Sequence, residues 1–162
     1  MRLLKNLLSG SWRVRRAFPP AAMRAIEAAI RATEKSHHGE ICFAVEAGFG
    51  LVPLLQGQSV RDRAIEVFSR LRVWDTEFNN GVLIYLLLAE RDVEIVADRG
   101  IHARVGAQGW QTICKQMEKE FRAGRFQTGV IIGIDAISAH LKQHYPRRGA
   151  DSNELPDAPV VL

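Results

Sequence analysis

The chain has 162 residues, which is enough for one domain with a buried core, and its composition is that of an ordinary globular protein. The net charge of +4 is concentrated at the N-terminus: residues 1–20 carry basic side chains and no acidic one, whereas the two signs balance between residues 21 and 146. Because the balanced region has no basic stripe, we expect no nucleic-acid partner.

Residues 1–20 are predicted to form a basic arm that ends at Pro19-Pro20. Leucines recur at i, i+1, i+4 and i+5 beside basic side chains, the pattern of a short helix that lies on a membrane interface (Leu3, Leu4, Leu7, Leu8). The alternative, which we favour, is an arm that frays or docks on its own domain. Lys5 and Asn6 interrupt the leucines, so the arm is not a good secretion signal. No stretch reaches the roughly 18 apolar residues of a membrane span.

The body, residues 21–146, begins with alternating helix and strand patterns. The predicted elements are a helix over 21–36, a strand over 40–47, a loop over 48–58 and a helix over 59–72. Ser59 and Asp62 have the spacing of a capping box at the start of the second helix. A strand, a helix and a further strand in this order predict a right-handed parallel crossover.

The stretch from Trp74 to Gly100 is predicted to be the centre of the sheet. The apolar run over 82–89 is typical of a strand buried on both faces, and residues 92–98 alternate like a second strand. With Glu90-Arg91 as a two-residue hairpin loop, the two strands are antiparallel. That register predicts three facing pairs: Ala89 with Asp92, Leu83 with Asp98, and Gly81 with Gly100.

The remainder of the body is predicted to be helical. A loop over 99–106 precedes helices over 108–123 and 128–144, and the tail, residues 147–162, is predicted to have no fixed structure. Together the elements predict an α/β fold. We expect a three-layer α/β/α sandwich around a small mixed sheet, mostly parallel, that carries the antiparallel hairpin.

This hairpin would bring oxygen-bearing side chains together at one end of the sheet. The loop before the first hairpin strand holds Asp75, Glu77, Asn79 and Asn80, and Asp98 ends the second strand. The alternative is structural. In that case Asp75 and Asn80 cap turns, and Asp98 pairs with an arginine (Arg72, Arg99 or Arg104).

Three segments of the chain resemble the TPM domain, a family named after a thylakoid-lumen phosphatase-like protein, a photosystem-associated protein and a receptor modulator. They are the acidic loop into NNGVLIYL, the hairpin into VEIVADRGI, and the later FRAGRFQTGVIIGIDAI. The resemblance extends from about Ala22 to Tyr145 and is to a short, single-domain form of bacterial type. It implies an α/β/α sandwich around a small mixed sheet, in agreement with the pattern-based prediction.

The resemblance also implies a divalent-metal site, often calcium, in an acidic cleft at the strand ends. The candidate ligands for Ca²⁺ or Mg²⁺ are Asp75, Glu77, Asn79, Asn80 and Asp98. The family's usual Asp-Asn-Gly before the central strand is Asn79-Asn80-Gly81 here. One carboxylate is therefore an amide, and we expect a weaker site.

The function implied is a non-catalytic accessory or binding module with an unidentified protein partner. The alternative is a weak metal-dependent acid phosphatase acting on phosphomonoesters, an activity attributed to plant members, in which Arg99 would bind phosphate. The sequence contains no recognisable nucleophile motif for phosphoryl transfer, so we assign no catalytic residue.

Cys42 and Cys114 both lie in apolar patterns, which indicates reduced core thiols and a reducing compartment. We therefore expect a cytoplasmic protein, with the basic arm as a candidate for peripheral contact with a membrane surface. Many relatives carry a secretion signal and a C-terminal membrane span, and neither is recognisable here. The sequence does not predict an oligomeric state.

Overall fold

The structure is a computed structural model, and it describes residues 2–7, 10–149 and 153–162. The helices are α1 (Arg2–Leu7), α2 (Ser11–Ala17), α3 (Pro20–Glu34), α4 (Leu51–Leu55), α5 (Val60–Arg70), α6 (Arg99–Arg122) and α7 (Phe126–His144). The strands are β1 (Glu40–Glu46), β2 (Gly81–Leu87), β3 (Asp92–Ala97) and β4 (Val160–Val161).

Four strands form one mixed sheet in the order β3-β2-β1-β4. β1 pairs with β2 and β4 in parallel, and β2 pairs with β3 antiparallel. Every residue of β2 is buried, as its uninterrupted apolar sequence predicts for a strand covered on both faces. The predicted parallel crossover and antiparallel hairpin are both confirmed.

Helices cover both faces of the sheet, because successive side chains of a strand point to opposite sides. Ile84 and Leu86 of β2 belong to a core shared with α3, α6 and α7, whereas Leu83 and Tyr85 belong to a core shared with α5. Burying each such large side chain contributes about 1.5–3 kcal/mol. The predicted α/β/α sandwich around a small mixed sheet is thus confirmed.

The hairpin register differs from the prediction. Leu87 faces Asp92 and Val82 faces Ala97, so the loop has four residues, 88–91, and Asp98 comes opposite Gly81 instead of Leu83. A two-residue hairpin loop of type I′ needs a left-handed backbone at both of its residues, and neither glutamate nor arginine favours that conformation. The longer loop requires it only at Arg91, where φ is 53°.

Two segments predicted to be loops contain helices. α6 begins at Arg99, so the predicted loop over 99–106 is wrong; Gly106, with φ 75°, marks a kink inside the helix. Asp98 caps this helix by accepting a hydrogen bond from the backbone N–H of Arg99. The loop over 48–58 contains the short helix α4. In contrast, the capping box of Ser59 and Asp62 is confirmed.

Both ends of the chain contain ordered elements. The predicted lack of structure in the tail is wrong for residues 153–162, because Val160 and Val161 pair with Ala44 and Val45 of β1. The basic arm forms α1 and α2; Leu8, one of its four leucines, lies outside the described residues. In the part of the chain that the structure describes, no helix combines the length and the apolar character needed to cross a bilayer.

Candidate functional site

The loop before β2 and the end of β3 meet at one corner of the sheet. The backbone N–H of Asp98 donates to the carbonyl of Gly81 (2.9 Å), and that of Ile101 donates to the carbonyl of Asn79 (3.3 Å). A side-chain carbon at Gly100 would lie only 2.6 Å from the carbonyl oxygen of Asn79. Backbone contacts of this kind fix the two segments against each other, so Asn79, Asn80 and Asp98 lie at the same corner.

Asn80 is buried with no exposed surface. Its Nδ2 donates to the carbonyl of His38 (3.2 Å), and its backbone N–H donates to Oγ1 of Thr76 (3.1 Å). The first of these bonds fixes which end of the amide is which. Oδ1 of Asn80 is therefore the free end of the side chain, and it is buried with no hydrogen-bond partner among the described residues.

Asp98 has one oxygen in use and one without a partner. Oδ1 accepts from the N–H of Arg99 (2.7 Å), which caps α6, whereas Oδ2 is buried and has no hydrogen-bond partner among residues 2–7, 10–149 and 153–162. The pairing of Asp98 with Arg72, Arg99 or Arg104 that a structural role would predict is not found within these residues. A buried acceptor without a partner costs about 1–3 kcal/mol, more when it is charged.

Asp75 and Glu77, the other predicted acidic ligands, lie on the exposed part of the loop. The carboxylate of Asp75 pairs with Arg72 (2.7 Å). The backbone N–H of Glu77 donates to both carboxylate oxygens of Glu154, each at 3.2 Å, so the tail brings a further acid to this corner. Arg99, the predicted phosphate contact, is exposed on the first turn of α6.

Gly81 permits the close approach of the loop to the sheet. A side-chain carbon at this position would overlap the carbonyl oxygen of Val73. Only glycine therefore allows β2 to begin in direct contact with the loop that precedes it, which places Asn80 in the interior.

The corner offers few side chains that could ligate a metal ion. In the described part of the chain, no three His, Cys, Asp or Glu side chains form a group suited to a metal ion. Asn80 contributes an amide oxygen, which can also ligate a hard cation such as Ca²⁺. The partnerless oxygens of Asn80 and Asp98 fit such a cation; Asp75 fits it less well, because its carboxylate is already paired with Arg72.

A second acidic cluster, which the sequence did not predict, lies beside this corner under the tail. Glu40 accepts from the backbone N–H groups of Glu154 (3.1 Å) and Leu155 (3.3 Å), and Asp157 pairs with Arg31 (3.1 Å). Burial, and then the charges of Glu40 and Asp157, raise the pKa of Glu34 to about 9. These residues are far apart in the sequence, and no local motif would have linked them.

The cluster borders a cavity of about 240 Å³. Arg31, Lys35 and Arg147 line this cavity together with the acids, so its charges are mixed. The arrangement holds the tail in place and offers no set of cation ligands comparable to the corner with Asn80 and Asp98.

Comparison with known proteins places the fold and the family. The family model of the TPM domain matches residues 15–140. The NMR structure of the BA42 protein from the psychrophilic bacterium Bizionia argentinensis is 31% identical, with a TM-score of 0.77, and the match covers 88% of this chain and 93% of that one.

A second solved structure is the N-terminal domain of a protein from P. gingivalis. It is 20% identical, with a TM-score of 0.61 over 80% of this chain and 82% of that one, and so shows the fold alone. No curated protein matches the chain. Since the family model covers most of the sequence and BA42 shares its fold over nearly its full length, the chain belongs to the TPM domain family.

Proposed function

We propose that the protein is a non-catalytic binding module whose acidic corner (Asp75, Glu77, Asn79, Asn80 and Asp98) binds a divalent cation, Ca²⁺ in preference to Mg²⁺. One observation supports this above all: Oδ1 of Asn80 and Oδ2 of Asp98 are both buried without a hydrogen-bond partner among the described residues. Buried polar atoms in folded proteins nearly always have a hydrogen-bond partner, so two such atoms without one at the same corner favour a bound ligand there.

The chemistry of the two atoms favours a hard cation. A carboxylate oxygen and an amide oxygen are both ligands that Ca²⁺ accepts, and Ca²⁺ tolerates irregular coordination by six to eight oxygens better than Mg²⁺ does. Asp98 and Asn80 would supply the buried ligands, and Glu77, on the exposed loop, would supply a further carboxylate. Asp75 would have to leave Arg72 to take part. A bound cation would neutralise the buried charge of Asp98 and tie the loop to the end of β3.

The expected affinity is low. Asn79 replaces a carboxylate with an amide, and the positive end of the α6 dipole lies beside Asp98 and opposes a cation. We expect a Kd for Ca²⁺ of about 10⁻⁴ to 10⁻³ M, the range of weak extracellular modules. Such a site would be filled only where Ca²⁺ is abundant.

The test compares Asp98→Asn with the wild type in a calcium titration followed by amide NMR and calorimetry. Asparagine caps a helix about as well as aspartate, so this variant removes the charge and keeps the cap. We expect wild-type shifts centred on residues 75–81 and 98–101 and their loss in the variant. The matched control is Asp135→Asn, an exposed position on α7, which should bind like the wild type.

Two results would overturn the proposal. Saturating Ca²⁺ that moves no resonance at the corner would show that the two oxygens are simply unsatisfied. Hydrolysis of a generic phosphomonoester by the wild type, dependent on the cation and abolished in Asp98→Asn, would replace the binding module with the phosphatase alternative.

A further inference from the structure

A surface at the opposite end of the sheet from the acidic corner combines exposed apolar and basic side chains. β1 and β2 both start at the corner and run away from it. The segment that contains α4 follows the far end of β1, and the loop over 88–91 follows the far end of β2. α1 packs against α4 there. Among the side chains that the structure describes, the two helices expose five large apolar ones, each between 46% and 71% exposed, which we term the leucine surface: Leu3, Leu4, Leu51, Val52 and Leu55.

α1 presents Arg2 and Asn6 to the protein, and Leu3 and Leu4 to solvent. Nε of Arg2 donates to the carboxylate of Glu90 (2.8 Å). The buried side chain of Asn6 donates to the same carboxylate (2.9 Å) and accepts from the backbone N–H of Phe49 (2.8 Å). Positions i and i+4 share one face of a helix, so Arg2 and Asn6 turn Leu3 and Leu4 outward. This is the reverse of the usual arrangement, in which the apolar side is buried.

An arginine-rich cleft lies beside the leucine surface. Val14 and Phe18 of the α2 region are buried and anchor that helix to the core, whereas Trp12 is 58% exposed. A cleft of about 440 Å³ is lined by Trp12, Phe126 and three arginines, and we term it the arginine cleft (Arg13, Arg16, Arg91). Arg91 directly follows Glu90, the residue that holds α1. The cleft and the leucine surface therefore flank the same loop.

We propose that the leucine surface and the arginine cleft together dock the protein on an anionic lipid bilayer. The leucines enter the boundary between headgroups and acyl chains, Trp12 lies at the level of the headgroups, and the arginines bind lipid phosphate. Charge identifies the partner. Residues 1–20 carry basic side chains and no acidic one, and such segments are attracted to anionic leaflets.

The same geometry sets the orientation of the docked protein. The acidic corner lies at the amino end of β2, and the docking surface lies beyond its carboxyl end. A protein docked in this way holds the acidic corner away from the bilayer, in solution. Docking on the bilayer does not require a bound cation. EDTA in the assay removes calcium that could bridge acidic side chains and lipid, so docking is tested separately from cation binding.

The test is co-flotation of the full chain with vesicles of phosphatidylcholine alone and of phosphatidylcholine with phosphatidylglycerol, both in EDTA. We expect binding to the anionic vesicles only, weakening as salt is raised. Leu4→Asp/Leu55→Asp and, separately, Arg16→Glu should each weaken binding about tenfold. The controls make the same kinds of change on α5: Ile65→Asp, at an apolar side chain 45% exposed, and Arg70→Glu, at an exposed arginine.

Circular dichroism and thermal melting establish that the variants are folded, and light scattering reports the oligomeric state. Absence of binding to anionic vesicles at low salt overturns the proposal, as does binding that the control variants weaken as much as the docking-surface variants. A wild-type dimer that Leu4→Asp/Leu55→Asp converts to a monomer, without vesicle binding, would identify a second copy as the occupant instead.

Discussion

The backbone N–H of Asp98 donates a 2.9 Å hydrogen bond to the carbonyl of Gly81, which closes the ladder between β2 and β3 one residue beyond the paired strands. This bond determines where the acidic loop ends relative to the start of α6. It places Asn80, the neighbour of Gly81, beside a residue that caps a helix. The acidic corner therefore exists because a strand ladder and a helix N-terminus share Asp98.

The cap at Asp98 predicts a stability difference between two substitutions. Asp98→Ala removes the side chain that accepts from the N–H of Arg99, and we expect a loss of about 1 kcal/mol, whereas Asp98→Asn should stay within a few tenths of the wild type. Urea denaturation without divalent cations measures both. Equal losses in the two variants would mean that the charge, and not the cap, stabilises this helix end.

Restoring a carboxylate at Asn79 should strengthen cation binding. The backbone of Asn79 has φ 52°, a left-handed conformation that aspartate tolerates better than most residues, so Asn79→Asp should fold like the wild type. We expect the Kd for Ca²⁺ to fall about tenfold because ligand charge raises affinity. Calorimetry measures the change, with Gln116→Glu, an added acid on an exposed part of α6, as the control. Equal gains in both variants would indicate a general charge effect.

Gly81→Ala should destabilise the domain strongly. The added methyl group would overlap the carbonyl oxygen of Val73, a backbone atom that cannot rotate away. We expect a loss of about 2 kcal/mol or more in chemical denaturation. Gly50→Ala is the comparison, since a methyl group there meets only Pro53 at 3.9 Å and should change stability little. A tolerated Gly81→Ala would mean that the loop before β2 moves easily, contrary to its contacts.

The acids under the tail predict that stability falls as pH rises. Burial and the neighbouring carboxylates raise the pKa of Glu34 from 4.5 in a free side chain to about 9 in the fold. Above the lower value the unfolded chain has lost this proton and the folded chain keeps it. The favourable contribution is therefore complete below about pH 4.5 and is lost as pH rises towards about 9.

Glu34→Gln keeps a neutral side chain at this position and should flatten the dependence of the melting temperature on pH across that window. Burial, followed by the charges of nearby acids, also raises the pKa of Asp92, to about 6, and its effect should be the same in both proteins. Asp135→Asn, on the exposed side of α7, is the control. Identical pH profiles for wild type and Glu34→Gln would contradict the prediction.

Residues 82–89 and 92–98 show how far the sequence predicts this fold. Their apolar run and alternation predicted two adjacent strands, one of them buried, because the order of apolar and polar residues along a strand reflects which of its faces are buried. The register was wrong by two residues, since Glu90-Arg91 has no glycine or asparagine to indicate the turn. Val160 and Val161 were too short a pattern to predict a strand, and their pairing depends on the free edge of β1.

The candidate site was predictable in part. That Asn80 and Asp98 approach each other follows from the hairpin, even with the wrong register. Which of their oxygens lack partners does not, because the orientation of the Asn80 amide depends on the carbonyl of His38 in another segment. The pairing of Asp75 with Arg72 depends equally on the local path of the loop, where Arg72 adopts φ 54°.

The short strand β4 has a consequence for the molecule in concentrated solution. Val160 and Val161 bond to the outer side of Ala44 and Val45, so this part of the β1 edge cannot template pairing with another molecule. The last ten residues thus cover this edge of the sheet and prevent edge-to-edge aggregation there. A chain shortened before Asn153 would leave a row of unpaired N–H and C=O groups beside a buried apolar strand, and we expect it to aggregate at concentrations at which the full chain stays clear.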